Sequence, residues 1–112
     1  MREIKFRQRN KNNGQFHIWG MDAGIWHNPL WQDNYVHPNE SDQFTGLEDK
    51  NGKDIFEGDI VLHLDEKYDI IIYCATAWLQ SDTRQLALFE IDNTDMEVIG
   101  NIYESNIEEL FQ

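Results

Sequence analysis

The stretch from residue 43 to residue 64 constrains the fold most strongly, because it places two turn signals directly before a strand pattern. The Asn51-Gly52 pair tolerates positive φ at both central positions, so it predicts a tight turn between apolar segments. Gly58-Asp59 marks a second break in the chain. Beyond this break, apolar residues alternate with the period of a half-buried strand, at Ile60, Leu62 and Leu64. This stretch therefore predicts antiparallel β structure, with structural turns at Gly52, Gly58 and Asp59.

The N-terminal residues have the pattern of a β-hairpin. Two apolar-alternating segments, residues 4–9 and 15–19, flank a polar turn that ends in a glycine. We expect the apolar residues of the two strands to face one another, with Ile4 and Phe6 opposite Phe16 and Ile18.

Regular patterning disappears from residue 20 to residue 43, which predicts a long loop. Loops of this length are uncommon in small domains unless they have a task or a partner. The candidate ligand-binding or partner-binding residues of this loop are Trp26, His27, Trp31, Tyr35 and His37. An aromatic, proline-bearing loop can instead fill its own core. Two interpretations remain open, a binding surface and a lid over the core.

Residues 68–79 are apolar on both alternating sets and predict one strand that is buried on both faces. Strand patterns follow at residues 85–91 and 98–104, and a capping-box pattern predicts a short C-terminal helix over residues 106–111. We expect the fold to be mainly β. The predicted form is a small antiparallel barrel or a strongly bent sheet, an SH3-like barrel being one version, with the long aromatic loop and the terminal helix added.

Three ordered motifs give the chain a family resemblance: Phe44-Thr45-Gly46-Leu47, Asp49-Lys50-Asn51-Gly52-Lys53 and Glu57-Gly58-Asp59-Ile60-Val61. Together with the opening residues 1–7 and the closing residues 97–104, they resemble the YopX family of phage and prophage proteins. The resemblance covers residues 1–112 and implies a single YopX-like domain, small and mainly β, encoded on mobile elements. It brings no established activity.

The charge of the chain is strongly negative, at −12, and is unevenly distributed. The first eleven residues carry five Lys or Arg and one acid, so the remaining 101 residues carry −16. Such a field repels phosphate backbones, so we expect no direct nucleic-acid binding. The single cysteine, Cys74, fits a reducing compartment and a small core position. No signal or membrane-span pattern is present, and we expect a cytoplasmic protein in the host cell without a membrane partner.

The sequence does not indicate catalytic, metal or cofactor chemistry. The residues around Gly52 resemble a calcium loop, but Leu47 and Gly58 would stand at ligand positions. The histidines and Cys74 lack the short spacings of zinc motifs, and His63 is expected on the outward face of its strand. No serine lies in a nucleophile elbow. We therefore expect no cofactor, no metal and no enzymatic activity.

Binding remains the favoured class of function. The first hypothesis is an interaction protein that forms homo-oligomers, through residues 68–79 or the aromatic loop, and binds a host or phage protein. The second is an acidic decoy, whose carboxylates imitate DNA phosphates and occupy a host defence or regulatory protein. The third is a small-ligand sponge, in which the loop aromatics clamp a flat, nucleotide-like molecule.

Overall fold

Strands dominate the computed structural model, which describes residues 3–73, 76–92 and 95–104. The first antiparallel sheet contains β1 (Lys5–Arg9), β2 (Phe16–Asp22), β3 (Ile25–His27), β4 (Asp42–Glu48) and β5 (Asp54–Phe56), in the order β3-β2-β1-β4-β5. The second antiparallel sheet contains β6 (Asp59–His63), β7 (Glu66–Tyr73), β8 (Thr76–Gln80), β9 (Gln85–Ala87) and β10 (Met96–Asn101), in the order β10-β6-β7-β8-β9. The mainly β prediction is confirmed.

The two sheets are open within the described ranges. The first sheet ends on β3 and β5 and the second on β10 and β9, so neither closes on itself. The closed-barrel alternative is therefore wrong, and the SH3-like form is not confirmed. Two short 3-10 helices, Pro38–Glu40 and Leu88–Glu90, connect strands. No helix in these ranges has the length and apolar character needed to cross a membrane.

The N-terminal hairpin exists, but its faces differ from the prediction. Phe6 lies opposite Trp19, with stacked rings 4.5 Å apart, and Ile4 is exposed. The buried cations of β1 are Lys5 and Arg7, which lie on the face of the strand opposite to Phe6. The predicted facing was wrong because carboxylates from later strands pair with these two cations, so their burial is compensated.

The turn at Gly52 is a three-residue hairpin loop rather than a primed two-residue turn. Gly52 has φ +78°, as predicted, but Asn51 does not have a positive φ. The Gly52 N–H bonds to the Asp49 carbonyl, and the Asp49 N–H to the Lys53 carbonyl, as in a type I turn followed by a left-handed residue.

The same loop also contacts the second sheet. The Asp49 carboxylate accepts hydrogen bonds from the N–H groups of Asn51 and Lys53, and across the sheets from Val98 at 2.9 Å. The backbone N–H of Lys50 bonds to the carbonyl of Met96 at 2.9 Å. The turn therefore lies against β10, the edge strand of the second sheet.

The second turn, at Gly58, joins the two sheets. Glu57 and Gly58 are the only residues between β5 and β6, and Gly58 has φ +86°. The Gly58 N–H bonds to the carbonyl of Ile70, and its own carbonyl accepts from Ile102 N–H at 2.9 Å. The turn is consequently fixed by backbone bonds to the second sheet on both sides.

The segment from residue 20 to residue 43 is not a continuous loop. It contains the end of β2, a tight hairpin turn at Ala23 and Gly24, strand β3, a 3-10 helix and the start of β4. Ala23 and Gly24 both have positive φ, the pattern of a type I′ turn. This turn was not predicted from the sequence, because alanine is rarely found in that conformation.

The predicted strand at residues 68–79 is in fact part of a hairpin. Strands β7 and β8 pair antiparallel, with Ile70 opposite Leu79 and Tyr73 opposite Thr76. Apolar residues occupy both alternating sets because two neighbouring strands supply them. The connecting residues, which include Cys74, lie outside the described residues, as does the predicted helix at 106–111.

Two side chains in the second half of the chain, those of His63 and Phe89, differ from the prediction. His63 is buried, not outward, with its ring against Tyr68 and its Nδ1 at 3.1 Å from the Asp95 carbonyl. Phe89 lies in the second 3-10 helix rather than on a strand, and it is exposed while Leu88 is buried. The main core lies on one face of this sheet and contains Ile55, Val61, Tyr68, Ile70, Leu79, Leu88 and Met96.

Candidate functional site

The segment that follows β3 lies across the outer face of the first sheet, the face opposite to buried Arg7. The side chain of Gln8 donates hydrogen bonds to the carbonyls of Leu30 and Val36, at 2.6 and 2.7 Å. His17, which lies opposite Gln8 on β2, bonds to the Asn28 carbonyl at 2.8 Å. These polar side chains hold the segment in place, so part of the predicted loop does act as a cover.

The two tryptophans of the predicted loop, Trp26 and Trp31, do not contribute to this cover. Trp26 on β3 is 58% exposed, and Trp31 is 73% exposed. Ile25, next to Trp26, is 62% exposed. We call Trp26 and Trp31 the aromatic surface. Ile25 precedes Trp26 on the strand, so its side chain points to the opposite face of the sheet. Tryptophan is enriched at interfaces, so two exposed tryptophans are candidates for an interaction site.

A shallow cavity of about 360 Å³ lies next to Trp31. Its lining includes Tyr35, His37 and Lys11, and the carboxylates of Asp33 and Glu40. The rings of Trp31 and His37 meet edge to face with centroids 5.3 Å apart. Because His37 Nδ1 accepts a hydrogen bond from the Asn39 N–H, the neutral ring carries its proton on Nε2 as a donor.

The five predicted binding residues therefore divide into two groups. The cavity collects Trp31, Tyr35 and His37. Trp26 and His27 lie on β3 and do not line it. The sequence analysis assigned all five residues to one loop because it did not predict strand β3, which contains Trp26 and His27.

A second candidate site is a cluster around Arg7 that the sequence did not predict. Arg7 bonds to Asp42 on β4 at 2.8 Å, to Asp59 on β6, and to the Glu57 carbonyl. Its guanidinium lies over the ring of Phe16, at 4.3 Å from the centroid. The cluster thus ties the first sheet to the second.

An acidic cleft of about 360 Å³ opens beside this cluster, between the two sheets. Its titratable lining includes Asp42, Glu57, Asp69 and Tyr103. The Tyr103 hydroxyl donates to Asp42 at 2.6 Å. Burial, followed by this bond, raises the pKa of Tyr103 above its ordinary value, so the phenol stays protonated.

Asp69 is the most unusual group in the acidic cleft. Its Oδ1 atom is buried and accepts no hydrogen bond. Burial, reinforced by the negative charge of Glu57, raises the pKa of Asp69 to about 6. Burial also raises the pKa of Glu57, with Asp42 adding to the effect. The acidic cleft can therefore take up a proton on Asp69 near pH 6.

Sequence reasoning missed the cleft because its acids are far apart in the chain. The available signal was the alternation of Lys5, Arg7 and Arg9 along β1, which puts three cations on one face of a strand. In the described part of the chain, no group of three or more His, Cys, Asp or Glu side chains could hold a metal ion.

Comparison with known proteins adds the family. None of the curated proteins compared with this chain matches it. Residues 5–108 match the family described as YopX protein. This match covers nearly all of the two sheets, including the Gly52 and Gly58 turns on which the resemblance rested. The chain therefore belongs to the YopX family.

Proposed function

We propose that this protein is a non-enzymatic interaction protein that assembles with itself and binds a host or phage protein through the aromatic surface. The single observation that carries the proposal is the exposure of Trp26 on the edge strand β3 and of Trp31 in the segment that follows it, 58% and 73%. Tryptophan is among the residues that contribute most to binding energy when a partner buries it.

The charge distribution supports the same surface. Residues 23–32 contain no Asp, Glu, Lys or Arg, in a chain whose net charge is −12. A contact made there brings few like charges together, whereas most other surfaces of two copies would repel. Added salt screens the remaining repulsion, so assembly should strengthen with ionic strength.

Light scattering at tens of micromolar protein, at low and high salt, tests the proposal. We expect a mass at least twice that of the 13.3 kDa chain, and a larger assembled fraction at high salt. The double variant Trp26→Ala/Trp31→Ala should lose the assembled form. Phe89→Ala is the matched control, because Phe89 is 70% exposed in the 3-10 helix that follows β9, outside the aromatic surface, and its removal should leave assembly intact.

A single-chain mass at both salt concentrations contradicts self-assembly. If the assembled form survives in the double variant and is lost in Phe89→Ala, the contact between copies lies near Phe89 and not at the aromatic surface.

The cavity beside Trp31 favours a second candidate function, the binding of a flat, nucleotide-like molecule. A ring can lie against Trp31, while Lys11 and the Nε2 donor of His37 are available to anionic groups. Titration of nucleoside monophosphates into the protein tests it, read by tryptophan fluorescence. We expect quenching that Trp31→Ala abolishes and Lys11→Gln weakens. Unchanged fluorescence at millimolar ligand contradicts this function.

A further inference from the structure

The edge strand β3 presents an unpaired backbone donor and acceptor at one residue. Asp22 and Ile25 flank the two-residue turn and form the hydrogen-bonded closing pair of the hairpin, so the alternation of antiparallel pairing makes Met21 and Trp26 a non-hydrogen-bonded pair. The N–H and C=O of Trp26 therefore point away from β2. Met21 agrees with this alternation, since its N–H bonds to Ile4 on the other side.

We propose that two copies of this chain pair their β3 strands antiparallel about a two-fold axis at Trp26, which joins the two first sheets into one. The proposal rests on the proposed function, since it names a second copy as the partner of the aromatic surface. With the axis at this residue, each Trp26 exchanges both backbone hydrogen bonds with the other. Ile25 then lies opposite His27 of the second copy.

The side chains of β3 suit this arrangement. Ile25, Trp26 and His27 are all exposed, and none of them is an Asp, Glu, Lys or Arg. Natural sheets protect an exposed edge with charged residues or proline, and β3 has no charged residue; its nearest proline, Pro29, follows the strand. For a chain of net charge −12, an uncharged edge is the place where a second copy meets least repulsion.

The expected dimer is a weak one. A fully buried aromatic side chain contributes roughly 150–250 Å². The side chains of β3 are already partly buried in one copy, so an interface of three residues from each copy falls below the roughly 1,200 Å² of stable interfaces. The assembled fraction should therefore change with protein concentration.

Disulfide trapping tests the register. Cys74 is the single cysteine, so a Cys74→Ser background leaves each introduced thiol alone. Residues that face each other in a hydrogen-bonded pair have Cα atoms about 5.5 Å apart, within disulfide reach. We expect Trp26→Cys to form a disulfide-linked dimer roughly tenfold faster than Phe89→Cys, because pairing raises the local thiol concentration.

The neighbouring positions make the test specific. Ile25→Cys and His27→Cys should each cross-link slowly alone and quickly when mixed, since each faces the other across the axis. Equal rates for Trp26→Cys and Phe89→Cys overturn the proposal, and so does faster linking of Ile25→Cys with itself.

A backbone test separates strand pairing from contact between side chains. Trp26→Pro removes the outward N–H without removing a hydrogen bond to β2, whereas Trp26→Ala keeps that N–H. After circular dichroism has shown that both variants are folded, we expect complete loss of the dimer mass for proline and partial loss for alanine. Equal loss in the two variants contradicts backbone pairing.

The mass of the unaltered protein separates the two proposals. A monomer at every concentration contradicts both self-assembly and strand pairing. A dimer in which Trp26→Cys does not cross-link faster than Phe89→Cys contradicts the pairing of β3 strands, but it remains consistent with the proposed interaction function.

Discussion

Arg7 Nε donates a 2.8 Å hydrogen bond to Asp42 Oδ2, and both side chains are buried where the two sheets meet. The same guanidinium bonds to Asp59, so one cation compensates two buried carboxylates from different sheets. Removal of one partner from a buried ion pair costs far more than a surface pair is worth, because the remaining charge stays in a poorly solvated place.

We therefore predict that Arg7→Met destabilises the protein by about 3–5 kcal/mol. Methionine keeps much of the apolar stem, so the loss measures mainly the missing charge and its hydrogen bonds. Urea unfolding followed by tryptophan fluorescence gives the free energy. Arg84→Gln is the control, because Arg84 is largely exposed and lies 4.0 Å from Glu66; it should cost less than about 1 kcal/mol. Similar losses in the two variants would show that the Arg7 cluster is not a structural tie.

A second prediction concerns pH and Asp69. Its pKa is raised from 3.8 to about 6 in the folded protein, first by burial and then by Glu57. The folded state therefore binds this proton more tightly than the unfolded state does. Its stabilising contribution is complete below the unfolded pKa and disappears as pH rises through about 6.

We expect Asp69→Asn to be more stable than the natural protein at neutral pH, by about 1–2 kcal/mol after allowance for partial solvent access. This difference in stability should shrink as the pH is lowered below about 6, the pKa of Asp69 in the folded protein. Thermal unfolding across this range measures it. Asp82→Asn, at an exposed residue, makes the same change in net charge, and its stability should follow the natural pH profile. Identical pH profiles for the two variants would contradict the assignment to Asp69.

The turn between β6 and β7 gives a stabilising prediction. Leu64 and Asp65 both have positive φ, 48° and 65°, a region that leucine rarely adopts and that aspartate tolerates better than most residues. Leu64 is 74% exposed, so its side chain buries little area. Leu64→Asn with Asp65→Gly supplies the residues that a type I′ turn prefers, and should raise stability by about 1 kcal/mol.

Chemical denaturation measures this gain. Leu64→Ala is the control, since alanine keeps a Cβ in the left-handed region and should bring no gain. A double variant no more stable than the control would show that the backbone strain at this turn is negligible.

A substitution in the Gly52 turn should lower the stability of the protein. A Cβ at Gly52 meets only the flexible end of Glu48 at 3.5 Å, so the cost of Gly52→Ala comes from φ +78° rather than from a clash. We predict a loss of roughly 1 kcal/mol. Asn51→Ala, at a neighbouring exposed residue of ordinary φ, serves as the comparison in the same unfolding assay. A loss within a few tenths of a kcal/mol for Gly52→Ala would contradict the left-handed assignment.

Local features of this fold were predictable from the sequence. The Gly52 and Gly58 turns and the strand after them depend on residues close together in the chain, and their positions agree with the structure. The turn at Leu64 and Asp65 was not predictable, because leucine at its first position continues the apolar alternation of the strand and is not a turn residue. The sequence therefore extended the strand through Leu64, which in fact lies exposed in the turn.

The candidate sites depend on distant pairing, which one sequence does not show. Asp42 and Asp59 lie 35 and 52 residues from Arg7, so nothing near β1 indicated that its cations would be buried. The exposed tryptophans were identified by type, but their exposure depends on strand β3, whose signal was too short to detect.

The contact between the Asp49 turn and β10 also limits how far copies of this chain can polymerise. Asp49 and Lys50 occupy the N–H of Val98 and the carbonyl of Met96, which are edge groups of β10 that an incoming strand would need. A molecule that adds strands at both ends of its sheets can grow into a fibre. Because these edge groups are already occupied from within the molecule, no strand of another copy can pair with this part of β10.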